Sequence, residues 1–203
     1  MPVSGNVVTA SGYTNDFATL PTAAQWSTAN LGGTAGSITT VAALDTAVQA
    51  NGAARITNAL ASVGANPGQN VLGMWSSSGF VLTSPSQIAM TLLMATFVNG
   101  SSTAADGFRI RYQYPTNAAT EALPSQRVYY STTGAAGSWI AIPSISQRAG
   151  GILDATITLA SPWSPGSRVW VFWADANANG TDMSCQIDNF SLTLSNSVPQ
   201  ALA

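Results

Sequence analysis

Several stretches of this chain carry apolar residues at alternate positions, the spacing of β-strands rather than helices. Gly107 to Tyr114 is the cleanest, with Phe108, Ile110, Tyr112 and Tyr114 on one face and Arg109, Arg111 and Gln113 on the other. That pattern predicts an antiparallel strand packed on one side and wet on the other. Two further stretches are apolar in both phases. Ser86 to Val98 sets Ile88, Met90, Leu92 and Met94 against Ala89, Leu93, Ala95 and Phe97. Arg168 to Trp173 sets Val169, Val171 and Trp173 against Trp170 and Phe172. Strands of this kind belong mid-sheet with something covering each side. Between Cys185 and Leu194 the phase runs Cys185, Ile187, then Phe190, Leu192 and Leu194, and the slip at Asp188-Asn189 predicts a β-bulge. The polar loop centred on Asn179-Gly180 predicts that these last two strands form a hairpin at the centre of a sandwich.

Shorter β-prone runs at Val3–Ala10, Val71–Trp75, Arg127–Ser131, Trp139–Ile142 and Ile152–Leu159 are separated by turn signals, as in sandwiches. Val41 to Ala61 is ambiguous: Val41, Leu44 and Val48 sit at helical spacing, but Asn51-Gly52 breaks the pattern. A short helix followed by a strand near Ala54–Asn58 is expected there. The fold class is therefore all-β, a two-sheet antiparallel β-sandwich (jelly roll) with at most one or two short helices. One domain over residues 1–203 is expected, its core at about 14–195 and its arms at 1–13 and 196–203.

Charge changes the picture by its scarcity. Only 7% of residues are charged, the six basic ones are all Arg, and the net charge is −2. No basic field exists for a polyanion, so nucleic-acid binding is not expected. Without His there is no Ser-His-Asp or Cys-His pair and no imidazole zinc site. Without Lys there is no P-loop, Schiff base or Ser-Lys dyad. Paired-carboxylate chemistry remains, but Glu121 lies in a Pro-flanked loop with no recognisable partner, so no enzyme is expected. The lone Cys185 falls in a strand, where a small buried hydrophobe is expected. No apolar run reaches the ~18 residues of a membrane span, so no membrane insertion is expected. The opening Met-Pro-Val-Ser-Gly-Asn has neither the basic start nor the apolar core of a signal peptide.

The loop from Asp175 through Asn177 and Asn179 to Asp182 places oxygen ligands at positions 1, 3 and 5 with Gly180 at 6, the first half of a calcium loop. Position 12 is Gln186 where a bidentate Glu is required, so an Asn/Gly-rich loop built on Asx turns is the competing account. Asp188 on the bulged strand, with Asp16, is a second calcium candidate; it could equally accept backbone N–H groups across the bulge. A structural calcium is the one cofactor these residues suggest. Tyr129 and Tyr130 are adjacent in a strand, so one points away from the core, and Trp139 follows a Gly-rich turn. These are the aromatic candidates for ligand or partner contact, with core packing as the alternative. Arg109 and Arg111 could clamp a partner carboxylate or form a solvated face.

Asp16-Phe17, Leu20-Pro21 and Trp26 resemble the opening of secreted lectin-like (concanavalin-type or carbohydrate-binding) jelly-roll modules of exported bacterial proteins. Phe97-Val98-Asn99-Gly100 with Phe108 to Tyr112, and Tyr130-Ser131 with Ser138-Trp139, are similar to their middle strands. Pro165-Gly166-Ser167, Val169-Trp170-Val171 and Ile187-Asp188-Asn189-Phe190-Ser191 match their closing segment best. The resemblance implies an accessory, non-catalytic jelly roll in which Asp188 helps to hold a structural ion. Two functions from different classes follow as expectations. The first is a structural or interaction protein of an extracellular or virion assembly, such as a bacteriophage particle, where it decorates, cements or forms fibres. Its partners would be protein subunits, a homo-oligomer among them. Strands apolar on both faces would then be covered by neighbouring subunits. The alternative is a carbohydrate-binding module or adhesin whose partner is a glycan. Jelly rolls serve capsids and lectins alike, so the fold does not choose.

Overall fold

The computed structural model describes residues 4–62, 72–114, 126–146, 150–177 and 184–196. In chain order the strands are Asn6–Val8 (β1), Tyr13–Asn15 (β2), Trp26–Leu31 (β3), Ala61–Ser62 (β4), Met74–Ser76 (β5), Phe80–Thr83 (β6) and Met90–Asn99 (β7). They continue with Ala105–Tyr114 (β8), Arg127–Ser131 (β9), Ile140–Ala141 (β10), Gly151–Trp163 (β11), Arg168–Ala176 (β12) and Cys185–Ser195 (β13). One α-helix, Val41–Gln49 (α1), and short 3-10 turns at Ala53–Arg55 and Pro143–Ile145 complete the described elements.

The strands form two sheets. A six-stranded sheet runs β1-β7-β12-β9-β10, with β3 beside β1 on the same edge of β7. A seven-stranded sheet runs β11-β8-β13-β6-β5-β4, with β2 also pairing β13. The all-β sandwich expected from the alternation is what the chain forms.

The two-faced strands explain the layering. Val169, Val171 and Trp173 of β12 join Leu93, Ala95 and Phe97 of β7 in the core between the sheets. Phe172 and Ala174, with Met90, Leu92 and Met94, face the other way into a second core. That second core is closed by this chain itself: Leu44 and Val48 of α1, Ile56 after the 3-10 turn, Ile38 and Trp139 lie over the sheet. The cover expected from a neighbouring subunit is thus supplied within the chain, by α1 and its flanking loops. Thr40 caps α1, its hydroxyl accepting the Ala43 N–H at 3.1 Å.

Two local expectations are corrected. β12 and β13 do not pair as a hairpin; β12 lies mid-sheet in one layer and β13 mid-sheet in the other, so the chain crosses the sandwich between Ala176 and Cys185. The strand expected near Ala54–Asn58 is a 3-10 turn and one isolated bridge, Asn58 with Thr28. The bulge holds: β13 steps from Asp188 opposite Gln113 to Ser191 opposite Arg111, with Asn189 at φ 46°. Asn tolerates the left-handed region better than most residues. Cys185 is buried as expected, its sulfur accepting the Tyr114 hydroxyl at 3.0 Å.

Candidate functional site

The outer faces of the two sheets differ. The six-stranded sheet is roofed by α1 and its loops, whereas the seven-stranded sheet turns Arg109, Arg111 and Gln113 of β8, Asp154, Thr156 and Thr158 of β11, and Thr193 of β13 to solvent. On this open face Arg109 grips Asp154 with two bonds, Nε to Oδ1 at 2.8 Å and Nη2 to Oδ2 at 2.5 Å. Arg111 adds a looser contact, Nε to Oδ2 at 3.8 Å. The Arg109 hydrogen bonds hold the Asp154 carboxyl below its ordinary range, despite a small opposing effect of burial.

Beside Arg111 lies a groove of about 540 Å³, lined by Thr14, Asn15, Asp16, Asn189 and Ser191 as well. The bulge builds this wall, because turning Asn189 out of phase lets its amide donate to Gln113 Oε1 at 2.9 Å. Of the sequence candidates, the fold thus brings Asp16 and Arg111 onto one groove with Arg109 nearby, and Asp188 precedes its wall. The Asp16 and Asp188 carboxylates each accept a nearby backbone N–H, from Ala18 at 3.0 Å and from Asn189 at 2.6 Å.

Asp175 and Asn177 sit at the end of β12, away from that groove. The Asp175 carboxylate is fully buried and accepts the Thr83 hydroxyl at 2.5 Å. The Asn177 amide donates to the Ile88 carbonyl at 2.8 Å and so ties the approach to β7. Asn179 and Asp182 lie outside the described residues, as does Glu121. Among the described residues no three carboxylate or thiol groups come together as a metal cluster.

The three aromatic candidates are buried, not exposed. Tyr129, 1% exposed, donates its hydroxyl to Asp45 of α1 at 2.6 Å, and Arg127 pairs with the same carboxylate at 3.0 Å. The residue that points away from the core between the sheets therefore points into the layer beneath α1. Trp139 lies against Phe172, centroids 4.9 Å apart and planes tilted by 48°, and donates its indole N–H to Asn51 O at 2.6 Å. Tyr130 packs edge-on to Phe108 between the sheets. These side chains hold the roof and the core.

Burial raises the phenol pKa of Tyr112 and Tyr129, for Tyr129 with the Asp45 hydrogen bond adding in the same direction. Raised folded values mean that the unfolded chain loses protons first. Stability is complete below about pH 10 and falls as pH climbs from there toward the folded values. In an alkaline titration the phenolate absorbance of these two residues is expected to appear together with loss of the circular dichroism signal. An ordinary tyrosine titration in a still-folded chain would contradict it.

A second groove, of about 490 Å³, lies where the roof leaves the six-stranded sheet uncovered, between Ile56 and Thr57 on one side and Arg168 and Ser4 on the other. Trp170 lines it, half-buried, with the backbone of Gly134 close against its ring. The other five tryptophans each donate the indole N–H to an oxygen, whereas Trp170 makes no such bond among the described residues. Neither Trp170 nor Arg168 stands out in the sequence, because both fall in a run whose two apolar phases announce core. Only its incomplete roof distinguishes this position.

No family model and no curated protein matches this sequence. Among solved structures, 98% of the chain aligns with a chain described as the Agl-KA catalytic domain, at 15% identity and a TM-score of 0.37. The alignment spans 30% of that chain's length, and a likeness this loose carries no argument about activity.

Proposed function

We propose that this chain is a non-enzymatic interaction module of an extracellular or virion assembly, docking on a protein subunit through the open face of its seven-stranded sheet. The observation that carries this is the contrast between the two outer faces. One is apolar and covered over most of its width by the chain's own helix and loops. The other displays a bidentate Arg–carboxylate pair, a second guanidinium and a field of Thr and Ser hydroxyls. Arg and short hydroxyl side chains lose little conformational freedom per hydrogen bond and suit a wet interface. With a net charge of only −2, the chain has little like-charge repulsion to keep copies or partners apart.

Protection in the native assembly tests this. A cysteine replacing Thr193 on the open face should react freely with a maleimide in the purified chain and be shielded in the assembly. One replacing Thr46, exposed on α1, should react in both states. Equal reactivity of the Thr193 position in both states would defeat the proposal.

Trp170 favours a second function, glycan binding in the groove above the six-stranded sheet. A half-buried ring, an indole N–H with no partner among the described residues and the nearby Arg168 guanidinium are groups that a sugar ring can stack on and hydrogen-bond to. Glycan-array binding that Trp170→Ala abolishes would establish it, and repeating the array in EDTA would show whether calcium takes part. No glycan bound by the folded wild type would remove it.

A further inference from the structure

We infer that β11 is a self-pairing edge, through which two copies of this chain join antiparallel about a twofold axis into one continuous sheet. This is independent of which face docks on other subunits. Natural sheets blunt their edges with very short strands, Lys, Pro or bulges. Here the other ends of the sheets follow that practice: β10 and β4 have two residues each and β1 has three. β3, six residues long, has its outer side bridged by Asn58. β11 differs, a 13-residue strand bonded to β8 on one side and, among the described residues, to no strand on the other.

Between Ile152 and Thr158, β11 carries no Lys, Pro or bulge, and the 3-10 turn Pro143–Ile145 is a described segment that packs against it. Its one charge, Asp154, is neutralised by Arg109, and Pro162 and the register shift fall at its far end. The core-facing side chains also bear an edge's mark. Leu153, Ala155, Ile157 and Leu159 keep 6–8% exposure, whereas Phe108 and Ile110 on β8 have none.

The alternation restricts the pairing. Leu153, Ala155, Ile157 and Leu159 face inward, and Asp154, Thr156 and Thr158 outward, so like must oppose like and the axis must pass through a residue position. An axis at Asp154 would set two carboxylates against each other. An axis at Thr156 sets threonine against threonine, a favourable cross-strand pair, and Asp154 against Thr158. It also lays Ile152, 55% exposed, beside Ala160 and leaves Pro162 beyond the ladder. The interface is self-complementary and closed, as a twofold dimer requires.

Sedimentation equilibrium of the purified full chain should show a dimer that Thr156→Pro converts to monomer without changing the circular dichroism spectrum. Under mild oxidation Thr156→Cys should give a disulfide-linked dimer, because residues directly opposed across an antiparallel pair lie within about 4.5–5.5 Å. Native Cys185 is buried and contributes no background, and Thr46→Cys should stay unlinked. A wild type that is monomeric throughout, or a dimer that survives Thr156→Pro, overturns the inference. Should Thr156→Pro fail to fold, a Thr156→Cys chain no more cross-linked than Thr46→Cys overturns it.

Discussion

Trp173→Ala is expected to lower the stability of this protein by about 3–5 kcal/mol, the range for emptying a fully buried aromatic site. Trp173 has no exposed surface and stands at the midpoint of the layered core. Its ring stacks on Trp26, centroids 5.4 Å apart and planes 21° from parallel, and meets Phe190 of the opposite sheet at 6.0 Å. Its indole N–H donates to the Tyr112 hydroxyl at 3.3 Å, so truncation also removes one of that buried hydroxyl's bonds and leaves it the 3.4 Å donation to the Ile145 carbonyl. Both sheets lose a contact at once, and the cavity cannot collapse without shifting β12, which is bonded on both sides. Urea unfolding should show the midpoint falling with an unchanged slope. A loss under about 1 kcal/mol would mean that the ring does not hold the two layers together.

The second large effect is expected from the smallest change, Gly107→Ala. A Cβ at this position would lie 2.0 Å from the carbonyl oxygen of Ile157 and 3.1 Å from its carbon, both backbone atoms of β11. Neither can swing aside as a flexible side chain would, so β8 and β11 must separate locally. Overpacking of this kind costs about 1–3 kcal/mol and occasionally more; with backbone as the obstacle, the upper end is expected. Amide hydrogen exchange should report it first in β11. Gly32→Ala is the control, since nothing lies within 4 Å of its added carbon. A Gly107→Ala chain as stable as Gly32→Ala would show that the β8–β11 pairing yields more readily than its spacing implies.

How much of this was legible beforehand depends on what a one-dimensional pattern can carry. Alternation reports which face of a strand is apolar. For that reason the faces of β7, β8 and β12 and the slip at Asp188-Asn189 are readable from the residues alone. It does not report what lies against that face. Tyr129 points away from the sandwich core, as adjacency to Tyr130 requires, but α1 arrives from 84 positions away to cover it and accept its hydroxyl hydrogen bond. Trp139 is hidden by the same layer. Pairing partners are equally invisible: an Asn-Gly loop suits a hairpin, yet β12 is already bonded on both sides by β7 and β9, and β13 by β8 on one side and by β2 and β6 on the other. Of the site candidates, Arg109 and Arg111 are readable on the open face because clean alternation marks β8, whereas Asp16 reaches Arg111 only through the pairing of β2 with β13. Trp170 passed as core because its neighbour Phe172 is core.

The placement of β13 has a consequence for synthesis. It is the last described strand to leave the ribosome, and it sits between β8 and β6 rather than at a border. Until it emerges, β2 lacks its strand partner among the described residues, and β8 is flanked by β11 alone. The nascent chain must therefore carry one layer of the sandwich with an unfilled slot, a state whose bare strand edges and apolar surface invite aggregation. Closure then comes late and in one step, so a ribosome stalled shortly before Cys185 should yield a protease-sensitive chain, and one released past Ser195 a resistant one.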